Sequence, residues 1–288
     1  MINMTFTLDE PGKPELATFA ASDGYPFFFR RYPAAGTARG RVVFIHGVQS
    51  HGTWYSASCA KLAEAGYEVL FIDRRGCGQN VKNRGDMPGF RRALDDIAEF
   101  IRALPRDGLP VHAAAISWGG KLGVALQYRH PGLCRGLMLL CPGIVPKVRP
   151  SFFTRARIAV ARVFRPSKFF PIPLNDPKLF TANVERQKFV EQDQLGLRYA
   201  TARMLFGSFA LDIYLRRAAK GVTIPLLLLL AEHDAIIQNE GVRAYVDKLP
   251  SNDKNVIEYA DAHHTLEFEG DDHAFINDMI AWLNTHAV

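Results

Sequence analysis

Short apolar runs and longer stretches of helical spacing take turns along most of this chain. Tyr25–Tyr32 and Arg41–His46 read as strands, the second carrying Val42, Val43, Phe44 and Ile45 in succession. Ala57–Ala65 has helical spacing and Glu68–Asp73 is another apolar strand. Arg92–Leu104 sets Leu94, Ile97, Phe100, Ile101 and Leu104 on one helical stripe. Val111–Ile116 reads as a strand, Gly119–Tyr128 as a helix and Gly136–Leu140 as a strand. Later, Pro225–Ala231 and Asn255–Tyr259 return as strands, and His273–Leu283 closes as a helix. Strands that are apolar at nearly every position are buried on both faces, as in a parallel sheet covered by helices. Together with the strand–helix alternation, this predicts an α/β doubly wound sheet.

The strand pattern stops between Ile144 and about Val222. This segment opens with prolines and basic residues and continues through helix-like stretches, Glu185–Gln194 and Leu197–Phe206. Strands resume afterwards and the sheet needs them. The segment is therefore expected to be a helical insertion at residues 144–221, with residues 1–143 and 222–288 forming the core.

Composition adds bounds. The chain has 288 residues, 48% hydrophobic and 22% charged, enough to bury a core without disulfide or metal staples. Cys59, Cys77, Cys134 and Cys141 form no C-x-x-C pairing, which predicts buried or reduced thiols. Met1–Glu15 carries acids and prolines and lacks a basic start followed by an apolar run, which argues against a cleavable secretory signal. The longest apolar run, Ile224–Ala231, is broken by Pro225 and too short to span a bilayer. A soluble, cytoplasmic protein is expected.

The net charge of +6 is unevenly placed. From Pro142 to Asn175 there are seven basic residues and no acid, interleaved with Phe152, Phe153, Ile158, Val160, Val163, Phe164, Phe169 and Phe170. One reading is a basic amphipathic helix that touches anionic lipid transiently. The other is a helix packed on the core with its charges solvated. No nucleic-acid recognition motif accompanies the charge, so nucleic acid is not an expected partner.

In open parallel sheets, ligands bind beyond the carboxyl ends of the strands. The sharpest strand-to-helix junction is Ala115-Ile-Ser117-Trp-Gly119, where a serine follows an apolar strand and small residues flank it two positions either side. This is the pattern of a nucleophile elbow, with Ala115 in place of the first glycine of G-x-S-x-G. The alternative is a serine that merely caps the following helix.

A serine hydroxyl needs a base. Among nine histidines, His263 and His264 follow the last strand, at the edge where Ser117 sits. Position alone does not separate the two. The strand ending at Leu230 leads into Glu232 and Asp234, and either carboxylate could orient an imidazole. The chain order Ser…Asp…His favours Asp234 with His264. For the oxyanion, one N–H is expected from Trp118 and a second from the loop Ile45–Gly52, where Gly47 permits an unusual turn. Val48 is the chosen donor and Gln49 the alternative; Gly47 and Gln49 are expected to contact substrate. His46 is expected to brace this loop. Asp73–Gly78 contains a G-x-G but not the full dinucleotide fingerprint, so it reads as a structural turn.

The His46-Gly47 loop, the D-x-R-G-x-G stretch at Asp73–Gly78, the elbow, the late Asp234 and the terminal His264 together resemble the α/β-hydrolase superfamily. Within it they resemble the monoacylglycerol lipase and lysophospholipase-like branch, from about Arg41 to the C-terminus. The resemblance implies an α/β-hydrolase fold with a helical cap at 144–221. It favours His264, which precedes an x-Leu dipeptide, and Asp234, although Ala231 stands where a glycine is common.

The resemblance implies a serine hydrolase acting on small-molecule or lipid esters with an apolar acyl chain, without metal or organic cofactor. Ser117-Trp-Gly and Arg75-Gly-Cys-Gly are similar to proline iminopeptidase-type enzymes, which makes peptide or amide hydrolysis the alternative. A third reading is a non-catalytic ligand-binding protein on the same fold.

Overall fold

A computed structural model of the chain describes residues 2–7, 10–270 and 272–286. Met1, Leu8 and Asp9, part of the N-terminal stretch read above, lie outside them. Three strands open the chain, β1 (Ile2–Thr7), β2 (Glu15–Ala20) and β3 (Pro26–Tyr32). Then come β4 (Gly40–Ile45), α1 (Ser56–Glu64), β5 (Tyr67–Ile72) and α2 (Phe90–Ala103). β6 (Val111–Ile116), α3 (Trp118–Arg129) and β7 (Gly136–Leu140) follow. Between β7 and the next sheet strand lie α4 (Phe152–Phe164), β8 (Phe169–Pro171), α5 (Val184–Gln192), β9 (Tyr199–Thr201) and α6 (Ala202–Ala218). The chain ends with β10 (Leu226–Ala231), α7 (Asn239–Asp247), β11 (Lys254–Tyr259) and α8 (Ala274–Thr285).

The main sheet has nine strands in the order β1-β2-β3-β5-β4-β6-β7-β10-β11. β1, β2 and β3 are antiparallel to their neighbours; from β5 onward neighbours run parallel. This is the expected α/β-hydrolase architecture. β4, β5, β7 and β10 are buried at each position, as continuous apolar strands should be between two helical layers. β11 is an edge strand, and most of its residues before Tyr259 are exposed, so the two-sided burial expected of Asn255–Tyr259 does not hold there.

The register places the functional loops side by side. Ile45 pairs with Ala115, Ile116 with Leu140, and Leu140 with Leu229. The carboxyl ends of β4, β6, β7 and β10 thus reach one rim, and the loops after them are neighbours. The hairpin β1–β2, the short strand β8 and helix α7 escaped the sequence reading.

The segment after β7 corrects one expectation. Leu197–Phe206 is not one helix: Tyr199–Thr201 forms β9, paired with β8, and α6 begins only at Ala202. Thr201 ends the strand because its side chain accepts from the Met204 N–H and caps the helix. Ile158, Ala161, Phe170 and Ala202 pack with Leu205 into a small cluster separate from the main core. All four cysteines are buried and unbridged. Among the described residues, no helix is long and apolar enough to cross a membrane.

Candidate active site

Ser117 sits at the end of β6 with φ at +50°, a left-handed backbone that costs a side-chain-bearing residue about 1–3 kcal/mol. The turn is held from both sides. The Ser117 N–H donates to the Leu140 carbonyl (2.9 Å), and the Ser117 carbonyl accepts from Gly120 (2.9 Å) and Gly143 (2.7 Å). Gly119 is obligatory here, since a Cβ would fall 2.2 Å from the Ile45 carbonyl oxygen. Ala115 is tolerated for a complementary reason. Gly123 on α3 leaves room for its methyl group, and a Cβ on Gly123 would lie 2.6 Å from it.

The Ser117 hydroxyl is 2.8 Å from His264 Nε2, and His264 Nδ1 is 2.7 Å from Asp234 Oδ2. Asp234 is fixed by its other oxygen, which accepts from the N–H groups of Ile236 (2.7 Å) and Ile237 (2.9 Å). Burial pushes the Asp234 carboxyl up, but the His264 ring and these two N–H groups outweigh it and leave it below its ordinary value. A charged carboxylate therefore faces Nδ1, which keeps the proton there and leaves Nε2 free to accept from Ser117. Beneath them, burial and the adjoining carboxylate push the Cys141 thiol well up, which keeps it neutral.

The rival residues lie elsewhere. His263 Nδ1 is 3.1 Å from the Glu269 carboxylate, which also accepts from the His263 N–H (2.8 Å). Glu232 is exposed and accepts from the Asp261 N–H (3.1 Å). Neither reaches the serine.

The loop after β4 is locked by Arg74. Its guanidinium donates to the carbonyls of Gly47 (2.6 Å) and Val48 (3.2 Å). His46 is buried; the Arg74 N–H donates to its Nε2 (2.8 Å), so Nδ1 holds the proton and donates to the Gly47 carbonyl (2.9 Å). Burial and the nearby Arg74 charge hold this imidazole well below its ordinary value, hence neutral. In a planar trans peptide, C=O and N–H point in opposite directions. Pinning the Gly47 carbonyl onto Arg74 thus aims the Val48 N–H to the far side of the loop. Asp73 accepts from the N–H groups of Gly52 and Gln79 (both 2.9 Å), so the Asp73–Gly78 stretch acts as a brace.

A pocket opens on the serine, lined by Gly47, Val48, Gln49, Ser50, Trp54, Tyr55, Ser117, Leu174, Phe180, His264 and Thr265. The Trp118 side chain points away from this lining and donates to Ser208 of α6 (2.8 Å). Sequence reasoning did not find Leu174, Phe180 or Arg74. The first two lie in the segment after β7, where no motif marks position, and Arg74 reads as an ordinary charged residue.

A serine, an imidazole and a carboxylate joined in this order on a mostly parallel sheet define a serine hydrolase of the α/β-hydrolase superfamily. The pattern of one of its families, described as serine aminopeptidase, S33, matches residues 36–271, and the chain belongs to that family. It is 26% identical to the monoglyceride lipase of Homo sapiens over 263 residues, 88% of this chain and 85% of that one. Against the monoacylglycerol lipase of Mycolicibacterium smegmatis it is 25% identical over 283 residues, 93% of this chain and 96% of the relative. The crystal structure of Paleococcus ferrophilus monoacylglycerol lipase superposes with a TM-score of 0.81 at 24% identity, covering 90% of this chain and 99% of that one.

Proposed function

We propose that the chain cleaves carboxylic esters with an apolar acyl chain, of the monoacylglycerol type, through an acyl-enzyme. The observation that carries this is the unbroken chain Ser117 Oγ–His264 Nε2 and His264 Nδ1–Asp234, opening onto a pocket walled by Leu174, Phe180 and Trp54. His264 takes the serine proton as Oγ attacks the ester carbonyl, and Asp234 stabilises the imidazolium while remaining ionised. The N–H groups of Trp118 and Val48 receive the oxyanion, a contribution of about 10²–10³ in rate per donor in comparable sites. His264 then hands the proton to the leaving alcohol, and water clears the acyl-enzyme by the same steps in reverse roles.

Peptide cleavage from a free N-terminus is the other activity that the family description suggests. The described pocket lining holds no carboxylate to pair with a substrate ammonium, which favours the neutral ester.

Residues 144–221 serve as the cap over this pocket. Their outer face, with Phe152, Phe153, Val160, Val163 and Phe164 exposed among the arginines of α4, is suited to a lipid surface, because the apolar side chains point outward instead of packing on the core. Four unbridged thiols are in keeping with work in the cytoplasm.

The test is turnover of monoacylglycerols and of p-nitrophenyl esters of increasing acyl length, with Ser117→Ala as control. Activity that depends on Ser117 and rises with acyl length is expected. Ester turnover untouched in Ser117→Ala, or amino-acid arylamides cleaved in preference to esters, would refute the reading.

A further inference from the structure

Gln49 lines the same pocket as Ser117 and His264 and is 2% exposed, yet neither its Oε1 nor its Nε2 has a hydrogen-bond partner. Its backbone carbonyl is engaged by contrast. The Gln49 carbonyl accepts from the Leu197 N–H across the pocket rim (3.0 Å), and Arg74 holds the residue before it. The polar neighbours are occupied as well. Ser50 Oγ accepts from the Gly47 N–H (3.1 Å), and the Trp54 indole donates to Asp193 (2.8 Å). A buried carboxamide with nothing to bind is destabilising, and proteins retain such a group where something outside the chain completes it.

The chemistry of the pair narrows what that is. A carboxamide offers a donor and an acceptor side by side, and a hydroxyl does both at once. The acyl half of an apolar ester has no polar atom beyond the carbonyl, which the oxyanion donors take. The alcohol half can carry hydroxyls. Apart from His264, no residue of the lining bears a titrating or charged side chain except the neutral phenol Tyr55, so nothing there selects a charged head group.

We propose that the Gln49 carboxamide holds a hydroxyl of the leaving alcohol and makes the site selective for esters of neutral polyols over esters of simple alkanols. This rests on the ester-hydrolase reading above.

The experiment measures kcat/KM on three esters of one acyl chain: the 1-monoacylglycerol, the 1,2-propanediol monoester and the methyl ester. Wild type is compared with Gln49→Leu and with Gln49→Met, which keeps the length of the side chain. The glyceryl-to-methyl ratio is expected to fall about tenfold in both variants, the value of one hydrogen bond to an uncharged group at the upper end. The propanediol ester, with one hydroxyl fewer, should show an intermediate fall. The melting temperature should stay at or above that of wild type, because an unpaired buried amide has been replaced by an apolar group. An unchanged ratio in the two variants, or an equal loss on all three esters with a lower melting temperature, would make Gln49 a structural brace and overturn the proposal. Failure of the underlying reading would look different: wild type itself would turn over none of the three.

Discussion

In β4, β5, β7 and β10 each residue is buried, whereas in α4 only Ile158 and Ala161 are, and Phe152, Phe153 and Phe164 are 71%, 78% and 78% exposed. The strands are confined by two neighbouring strands and two helical layers, so each side chain has one place to go. Helix α4 packs on α6 and on Phe170 of β8, with Ile158 and Ala161 three residues apart on the face it buries. The rest of its apolar surface stays exposed. The difference divides the labour. The confined rim holds Ser117, Asp234 and His264 to hydrogen-bond distance, and the unconfined helix leaves an apolar, basic face exposed.

The largest effect should come from the rim. Asp234→Asn is expected to lower kcat for ester hydrolysis by about 10⁴-fold, because an amide there favours the wrong imidazole tautomer. Glu232→Gln, two residues away and exposed, should change it less than twofold. Steady-state kinetics of both variants break the comparison if the losses are similar.

A smaller effect tests how tightly the histidine loop is buried. Glu267, three residues after His264, is buried against the first turn of α1, where one oxygen accepts from the Ser58 N–H (3.0 Å) and the other has no partner. Burial pushes its carboxyl up from 4.5 to about 7, against the pull of the Ser58 N–H. The folded state therefore holds a proton that the unfolded chain has already released between these values. Stability should fall as pH rises through that window, by roughly 3 kcal/mol if the whole shift is realised. In Glu267→Gln that slope should flatten. Thermal melts of both proteins at pH 5 and pH 8 check this, and parallel shifts in the two would contradict it.

The smallest effect should come from α4. Replacing Phe152, Phe153 and Phe164 together by serine is expected to weaken binding to anionic vesicles about tenfold or more, on the basis of the apolar area withdrawn. Turnover of a water-soluble p-nitrophenyl ester should stay near wild type. Vesicle sedimentation decides the matter, and binding to anionic vesicles no stronger than to neutral ones would leave the face without this role.

Legibility along the chain follows the same division. The bounds of β6 and β7 agree residue for residue with Val111–Ile116 and Gly136–Leu140, because the helical layers on both faces of the sheet demand apolar side chains there. Leu197–Phe206 misled because β9 pairs with a three-residue strand far away in sequence, a contact that local spacing does not register. Helix α7 was missed although Val242 and Val246 form its buried face, since charged and polar residues surround so narrow a stripe. The elbow was legible despite Ala115, and the space that admits its methyl group lies on α3, at Gly123.

Apolar periodicity and residue spacing are local properties, and they were enough to indicate a parallel sheet, a serine at a strand end, and carboxylate and histidine candidates on later loops. Choosing between His263 and His264, or between Glu232 and Asp234, is a matter of where side chains a residue or two apart point in space. The register of β10 between β7 and β11 brings Asp234 and His264, and not their neighbours, into line with Ser117. The pocket walls are further still from the local pattern, since Leu174 and Phe180 reach the serine only once the segment after β7 has folded back over the rim.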